Sequence, residues 1–366
     1  MTPPVGSEKW IEQAARLDPS IASGRGGKSS RRSSSTSKGA VGGGRSKKDK
    51  RDGAQYYSIT FAFEFPHKED HAFIAMCYPY SYTDLTLYLK RLQVDPVRRH
   101  LFRWRSLCQT LAGNECPLLT ITSFDKRDAS TMKQRKGVVV TARVHPGESN
   151  ASWMMKGVID YLTGPSLDAA ILRDNFVFKI VPMLNPDGVI VGNYRCSLAG
   201  SDLNRNYIAP LRKLHPTIFH AKQMIRRFQQ DRELILVCDL HGHSRKSNIF
   251  MYGCDNLVGG PRQWSRRLHE RIFPRMLAQN SAMLRTQSFS FEDCSFNVQK
   301  GKDGCARVVY WREFDLTNAY TMEASFAGIN FGRCEGEHLT TLHLEEMGCV
   351  PSRLRRSVAV CVFAAH

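Results

Sequence analysis

The stretch at residues 143–150, Arg-Val-His-Pro-Gly-Glu-Ser-Asn, constrains the fold most because it joins two unlike segments. Residues 137–144 are a β-branched apolar run typical of a buried strand, whereas residues 151–162 carry apolar side chains at helical spacing. His145 and Glu148 are therefore predicted to lie on the turn at the carboxyl end of a strand, where open α/β sheets carry their chemistry. A histidine and a carboxylate on one tight turn can bind a single cation, but this spacing alone is weak evidence.

A second apolar run, residues 234–240, also predicts a buried strand, and it ends directly in His241-Gly-His-Ser. Two histidines, one carboxylate and an open fourth position form the ligand set of a catalytic zinc ion, whereas a structural site is closed by four protein ligands. We therefore expect His145, Glu148 and His241 to bind one zinc ion per chain. The alternative is that His241 only bonds to neighbouring backbone. Asp239 is expected to point to the other face of the strand, which makes a supporting role for it weak.

Composition limits the remaining choices. The chain has 366 residues, of which 42% are hydrophobic, and this is enough for one large globular domain with additional segments. It contains no run of about 18 apolar residues, so no membrane span is expected, and its first residues do not resemble a secretory signal. The 11 cysteines are an odd number without a Cys-x-x-Cys pair, which argues against a disulfide framework and a cysteine zinc ribbon. We expect a cytoplasmic protein.

The amino-terminal segment, residues 1–55, is predicted to be a disordered basic tail rich in Gly and Ser, since it offers almost nothing to bury. It holds 12 Lys and Arg against 5 Asp and Glu and contributes +7 of the net charge of +18, so residues 56–366 are basic as well. The tail is interpreted as a solvated linker or a localisation signal. The alternative is non-specific attraction to a polyanion, either nucleic acid or an acidic protein tail.

Residues 56–95 show a different pattern. Aromatic and aliphatic side chains alternate with smaller or polar ones through residues 57–65, which predicts a half-buried strand, and residues 71–78 predict its partner. A helix with one apolar side is predicted to follow, with Thr83 as its N-cap.

Residues 96–350 then alternate between strand and helix signals. Strands are predicted at residues 118–124, 138–144, 176–184, 234–240, 249–252, 308–311 and 320–323. Helices are predicted at residues 151–162, 217–230, 262–278 and 338–347. This alternation indicates an α/β domain with a mixed, largely parallel sheet flanked by helices. Residues 351–366 are left as a C-terminal tail.

Six motifs occur in order along the chain. They are His145-Pro-Gly-Glu, Asn185-Pro-Asp-Gly-Val, Gly192-Asn-Tyr-Arg-Cys-Ser, Asp202-Leu-Asn-Arg-Asn, Asp239-Leu-His-Gly-His-Ser and Tyr320-Thr-Met-Glu-Ala-Ser. With these motifs the chain closely resembles the zinc metallocarboxypeptidases, and within them the cytosolic carboxypeptidase subfamily, over roughly residues 56–350. The resemblance implies a zinc carboxypeptidase catalytic domain at residues 96–350. It also implies that residues 56–95 are a connecting helix and the truncated remnant of a β-sandwich domain that precedes the catalytic domain in that subfamily.

Two residues are candidates for direct catalysis. Glu323 lies on a predicted strand of mainly uncharged residues, where an unpaired charge must find water, a metal or a cation. From the chain alone it can also be an exposed carboxylate at a strand end, but the resemblance implies that it is the general base for the zinc-bound water. Arg195, in a turn-rich segment, is the candidate that contacts the substrate and stabilises the oxyanion.

Two further segments are candidates for substrate binding. Asn204 and Arg205 match the family's clamp for a terminal carboxylate, and an arginine beside an amide suits that group. For any arginine alone, a surface ion pair is the alternative. Arg307 matches the position that sets preference for the terminal side chain, and a basic residue there suits an acidic side chain. The alternative is that Arg307 pairs with Asp303 or Glu313. Digestive members carry a mobile tyrosine before this loop, but residues 281–309 contain none, so no tyrosine is assigned a role.

The resemblance thus implies a zinc-dependent carboxypeptidase that removes glutamates, from a linear tail or a branch point, on acidic protein tails such as that of tubulin. Acidic tails are the expected partners, with no membrane and with nucleic acid limited to non-specific contacts of residues 1–55. Two other classes stay open. One is an inactive module that binds acidic tails, and the other is a zinc amidohydrolase of small N-acyl amino acids.

Overall fold

The computed structural model describes residues 60–65, 67–69, 71–124, 129–257, 266–281 and 287–349. The chain divides into two units, residues 1–76 and residues 77–366. The residues described in the first unit form no helix or strand, so the strand pair expected around residues 57–65 and 71–78 is not formed where it is described. An isolated pair of strands is only marginally stable, which accounts for this result. The two predicted tails lie outside the described residues.

The second unit contains nine described helices and seven strands. In chain order they are α1 (Tyr82–Val94), β1 (Phe102–Gln109), β2 (Glu115–Ile121), α2 (Ala129–Gln134), β3 (Lys136–Ala142), α3 (Ser149–Leu162), α4 (Leu167–Asn175), β4 (Phe176–Val181), α5 (Pro186–Val191), α6 (Pro216–Asp231), β5 (Leu234–His243), β6 (Ile249–Tyr252), α7 (His269–Ser281), α8 (Ala306–Glu313), β7 (Ala319–Ser325) and α9 (Thr341–Gly348). Two short 3₁₀ turns lie at Leu203–Arg205 and Gly332–Cys334.

All seven strands form one sheet in the order β1-β2-β4-β3-β5-β7-β6. The four central strands, β4, β3, β5 and β7, run parallel, and β1, β2 and β6 are antiparallel to their neighbours. This confirms the predicted mixed sheet, and its parallel strands are the four at the centre. Because β3, β5 and β7 are adjacent and parallel, their carboxyl ends meet at one edge of the sheet, where ligands bind in such folds.

The sheet is covered on both faces because successive side chains of a buried strand point to opposite sides. Val138 and Val140 of β3 belong to one hydrophobic core, which includes side chains of α1, α3, α4, α7 and α9. Val139 belongs to the other core, which includes side chains of α6 and α8. Burial of each such side chain stabilises the fold by about 1.5–3 kcal/mol. The central strands therefore form a rigid platform for the side chains at their ends.

Residues 308–311 are not the strand that the sequence predicts. They lie in α8, which packs its apolar side chains into the core beneath the sheet. A short, fully buried apolar run does not distinguish a strand from a helix, and this run illustrates that ambiguity. The first strand, β1, was not predicted, because half of its sequence, Phe-Arg-Trp-Arg-Ser-Leu-Cys-Gln, is polar and it lacks a continuous apolar run. As an edge strand it can carry charged side chains.

Two helix ends also differ from the expectation. The N-cap of α1 is Ser81 and not Thr83, since the Ser81 hydroxyl accepts the Asp84 N–H at 3.1 Å and the Asp84 carboxylate accepts the Ser81 N–H at 2.8 Å. The helix expected at residues 262–278 is described at His269–Ser281.

Among the described residues, no helix combines the length and the apolar character that crossing a bilayer requires. The ten cysteines in the described part of the chain carry free thiols.

Candidate active site

The turn after β3 is held by an unusual backbone conformation. Arg143 has a φ of 56°, a left-handed value that is rare for a residue with a side chain. Its buried guanidinium donates from Nε to the Pro146 carbonyl at 2.8 Å, and from NH1 to the Tyr80 carbonyl at 2.9 Å and to the Ser152 hydroxyl at 2.8 Å. These bonds offset the strain and fix the direction in which the chain leaves the sheet.

Gly147, inside the same turn, lies directly against the next functional loop. Its N–H donates to the Tyr194 carbonyl at 2.7 Å, and a Cβ at this position would lie 2.5 Å from the Tyr194 ring. Only glycine allows this approach. The turn that carries His145 and Glu148 is thereby joined to the loop that carries Arg195.

The two strand ends bring three ligand-type side chains together. Nδ1 of His145 lies 2.7 Å from Oε1 of Glu148, and Nδ1 of His241 lies 2.9 Å from Oε2 of the same carboxylate. The three ligand atoms lie within 4.8 Å of one another, and all three residues are buried. The structure thus brings together the three residues that the sequence predicts as metal ligands.

A second set of carboxylates orients the two imidazoles from behind. Nε2 of His145 lies 3.1 Å from Oδ1 of Asp202, and Nε2 of His241 lies 2.7 Å from Oδ2 of Asp239. Thr141 completes this arrangement, because its hydroxyl donates to Oδ1 of Asp239 at 2.6 Å. Carboxylates bonded to the outer nitrogen of a ligating histidine fix its orientation and raise its basicity.

The expectation that Asp239 points away from His241 was wrong. Residues two apart on a strand share a face, so Asp239 and His241 project to the same side of β5. Asp202 was not predicted as a site residue, because no local pattern indicates that its side chain reaches His145.

The charges of this cluster are strongly coupled. Burial opposes the charged form of His241, but Asp239 and Glu148 outweigh burial and raise its pKa well above the ordinary value. Burial alone raises the pKa of Glu148, yet His241 and His145 lower it far below its usual range. The Glu148 carboxylate therefore stays ionised, and both imidazoles contact it.

These residues fit a zinc ion. Imidazole nitrogens and a carboxylate oxygen are the donors that catalytic zinc takes from proteins, with one position left open. Both Nδ1 atoms face the carboxylate, while both Nε2 atoms are held by other carboxylates, so the donor atoms already converge. Zinc would displace any proton from the two Nδ1 atoms and lie between His145, Glu148 and His241.

Glu323 lies beside this cluster because of the strand register. Parallel strands β5 and β7 pair His241 with Glu323, so the two side chains stand next to each other on the same face. Glu323 is half-buried. Burial is the largest cause that raises its pKa to about 7, and the nearby Glu148 adds to the effect, whereas His241 lowers it. A carboxyl group with such a pKa can both accept and return a proton near neutral pH.

Arg195 reaches the cluster from its rim. Its Nε and NH2 lie 2.9 and 2.8 Å from Oδ2 of Asp202, and its NH1 lies 3.9 Å from Oε1 of Glu148. The side chain is 40% exposed, so the guanidinium can meet a substrate and still be held by Asp202.

Asn204 and Arg205 lie on the 3₁₀ turn that follows Asp202. The buried Asn204 amide places Nδ2 at 3.4 Å from Nε2 of His241, and its Oδ1 accepts the Ala306 N–H at the start of α8. Arg205 donates from NH1 to the Asn204 carbonyl at 2.7 Å and remains about one-third exposed. Of the predicted carboxylate clamp, Arg205 is therefore open to a substrate, and the amide nitrogen of Asn204 is the part that faces the site.

Arg307 lies in the first turn of α8, behind the clamp. It is buried, its Nε donates to the Gly253 carbonyl at 3.3 Å, and its guanidinium lies 5.4 Å from the centre of the Tyr252 ring. The alternative pairings expected for it do not occur, since Asp303 pairs with Arg312 and Glu313 pairs with Lys222.

No carboxylate among the described residues lies within ion-pair distance of Arg307. Its neighbour Lys302 was not predicted as a site residue, yet burial and the charges of Arg205, Arg195 and Arg307 lower its pKa. Four cationic side chains thus lie near one another beside the three candidate metal ligands. They are Lys302, Arg195, Arg205 and Arg307.

Comparisons with known proteins agree with this geometry. A family model for zinc carboxypeptidases matches residues 97–336. Cytosolic carboxypeptidase 3 of Bos taurus is 52% identical over 297 residues, which cover 81% of this chain and 29% of that protein. Cytosolic carboxypeptidase 2 of Xenopus tropicalis is also 52% identical over 297 residues, which cover 81% of this chain and 30% of that protein. The chain spans about a third or less of the length of these relatives.

Solved structures show the same fold. A metallo-carboxypeptidase from Burkholderia cenocepacia superposes with a TM-score of 0.64 over 80% of this chain and 71% of that chain, at 22% identity. At this identity the likeness concerns the fold alone. Family model, relatives and fold agree, and the chain belongs to the zinc carboxypeptidase family, within its cytosolic carboxypeptidase subfamily.

Proposed function

We propose that this chain is a zinc-dependent carboxypeptidase that releases C-terminal glutamate from acidic protein tails. One observation carries the proposal: the three candidate metal ligands have Glu323 in register beside His241, and Arg195, Arg205 and Arg307 lie near Lys302 in the same region. Ligands for one metal ion, a general base and a group that binds the terminal carboxylate are what hydrolysis of a terminal peptide bond requires.

When bound, zinc polarises a carbonyl and lowers the pKa of water to about 7. Glu323 accepts the proton of the attacking water and returns it to the leaving amine, which its pKa of about 7 allows. Arg195 donates hydrogen bonds toward the oxygen on which negative charge develops. Asp202 holds Arg195 and His145 at once, so the oxyanion donor and a metal ligand keep a fixed separation.

Arg205 and the Asn204 amide would bind the free carboxylate at the end of the substrate. The Asn204–Ala306 hydrogen bond joins this clamp to α8. Gly304 makes the junction tight, because a Cβ there would lie 2.2 Å from the Arg205 carbonyl oxygen. The clamp and Arg307 therefore belong to one rigid unit.

The preference for glutamate follows from Arg307. A buried guanidinium without a carboxylate partner is costly, so it favours an anion that enters the site. A C-terminal glutamate brings two carboxylates, one for Arg205 and one for Arg307. The positive charge of residues 56–366 attracts polyglutamate tails, for which tubulin is the expected source, and a cytoplasmic location follows for such a partner.

The direct test measures kcat/KM on peptides that end in Glu, Leu or Lys, with and without a chelator. We expect the Glu peptide to be cleaved at least about 30-fold better than the Leu peptide, since a buried charge pair is worth about 2 kcal/mol or more. Faster release of Lys or Leu would contradict the proposed specificity. Faster cleavage of a small N-acyl glutamate would favour an amidohydrolase, and peptide binding without release would favour a binding module.

Arg307→Met isolates the specificity, because it keeps the volume of the side chain and removes its charge. It should lower kcat/KM for the Glu peptide about 30-fold and leave the Leu peptide nearly unchanged. Arg312 is on the same helix but is exposed and paired with Asp303, so Arg312→Met is the matched control. It should leave kcat/KM unchanged for both peptides.

A further inference from the structure

A second group of metal-ligand side chains lies apart from the active-site motifs. Cys334, Glu337 and His343 each offer one ligand atom, and these atoms lie within 4.8 Å of one another. We propose that these three residues, called the Cys334 cluster, form a second metal site, which binds zinc or a divalent ion with the same ligand preference. The proposal does not depend on the proposed function, since no catalytic residue belongs to the cluster.

The backbone around the cluster is fixed by its own hydrogen bonds. The Ile329 N–H donates to the Glu337 carbonyl at 2.9 Å, and the Gly336 N–H donates to the Ile329 carbonyl at 2.8 Å. The Glu337 N–H donates to the Cys334 carbonyl at 3.1 Å and closes the turn between the two ligands. A thiol and a carboxylate three residues apart on this turn are therefore held side by side.

His343 approaches the same point from the first turn of α9. Its Nδ1 accepts the Thr340 N–H at 3.4 Å, which holds the ring at the start of the helix. The helix start has a second such bond, from the His343 N–H to the Thr340 hydroxyl at 3.3 Å.

The donor set selects the kind of ion. A thiolate, an imidazole and a carboxylate are all zinc ligands, and the thiolate disfavours magnesium and calcium, which take oxygen donors. Binding releases the proton of the Cys334 thiol, and the resulting thiolate and the Glu337 carboxylate neutralise the two positive charges of the ion. Burial, Glu337 and then Glu346, one turn further along α9, raise the pKa of Cys334, and the two carboxylates add negative charge near the cluster.

An ion here would tie a surface loop to a helix that supports the catalytic domain. α9 packs backbone to backbone on α3, because a Cβ at Gly157 would lie 2.1 Å from the Glu345 carbonyl oxygen. α3 is the helix that begins directly after Glu148. The site therefore lies outside the catalytic machinery, and ligand loss should leave the active-site metal in place.

Cobalt binding tests the proposal, because only a site with a cysteine ligand produces a thiolate-to-cobalt charge-transfer band. The active-site cluster has no cysteine, so cobalt there does not contribute. We expect the intact protein to bind two cobalt ions per chain, one at each cluster, and the band to report only the ion at the Cys334 cluster. Cys334→Ser should abolish the band, whereas Cys294→Ser, at a half-buried cysteine elsewhere, should keep it.

Glu337→Gln and His343→Gln extend the test to the other two ligands. Each should weaken cobalt binding at least about 10-fold, as loss of a ligand or of its support does in metal sites. The proposal is overturned if the intact protein shows no charge-transfer band, if the band persists in Cys334→Ser, or if both of the other variants bind cobalt as tightly as the intact protein.

Discussion

The active-site cluster and the Cys334 cluster meet the same distance criterion but differ in everything around it. In both, three ligand atoms lie within 4.8 Å of one another. In the first, all three residues are buried and each imidazole is held from behind by a carboxylate. In the second, Cys334 and His343 are half-buried, Glu337 is exposed, and the histidine rests on a long backbone contact. Proximity makes a site possible, and the surrounding bonds decide how well it is prepared.

Glu323 lies in register beside the active-site cluster as its proposed base, so removing that base gives the largest expected effect. Glu323→Gln keeps size and polarity but cannot take a proton, and kcat should fall roughly 10²–10⁴-fold. Zinc content should not change, because Glu323 is not one of the three ligands. Glu335→Gln, at an exposed position, is the matched control for loss of one negative charge. Full activity in Glu323→Gln would remove this residue from the mechanism.

The buried carboxylates behind the imidazoles give the next largest effect. Asp239→Asn should weaken zinc binding about 10–100-fold, because His241 loses the anion that orients it. Thr141→Val removes only the hydroxyl that supports Asp239, so its effect should be smaller. Equilibrium zinc titration against a competing chelator measures both. If Asp239→Asn binds zinc as tightly as the intact chain, the carboxylate behind His241 is not what makes the active-site cluster better prepared than the Cys334 cluster.

The pH dependence of zinc binding follows from His241. Its pKa lies well above the ordinary value because Asp239 and Glu148 outweigh burial, so below that pKa a proton occupies a nitrogen that zinc needs. Apparent affinity should therefore rise with pH, by about tenfold per pH unit for each proton displaced, and level off above the pKa of His241. Asp239→Asn should shift this range to lower pH. An affinity independent of pH would show that zinc displaces no proton.

The smallest effect is expected at the Cys334 cluster. Cys334→Ser should change kcat/KM on a glutamate-ended peptide by less than about twofold, as do most substitutions away from buried networks. A large loss of activity with an intact active-site zinc would mean that the two clusters are coupled, contrary to the separation described above.

The sequence predicted the parts of the site that depend on local pattern. The apolar runs before His145 and His241 mark strand ends, and the structure places both there. It did not predict the pairing of His241 with Glu323, since the register of two strands is set by tertiary packing. The strand predicted at residues 308–311 failed for a similar reason, because the core that covers α8 decides between helix and strand.

The residues that the sequence did not predict share one property: each interacts with side chains from other segments of the chain. Asp202 reaches His145, and Lys302 lies close enough to Arg195, Arg205 and Arg307 for their charges to lower its pKa, as does its burial. The Cys334 cluster draws its ligands from a turn and a separate helix, so no short motif reveals it. Asp239 is different, because the two-residue period of a strand was enough to place it beside His241.

The most direct test of the central claim is an anomalous difference map at the zinc absorption edge from crystals of the zinc-loaded protein. We expect one peak bonded to Nδ1 of His145, Nδ1 of His241 and the carboxylate of Glu148, at about 2.0–2.2 Å from each. Absence of a peak among these three side chains in fully loaded, active protein would contradict the account.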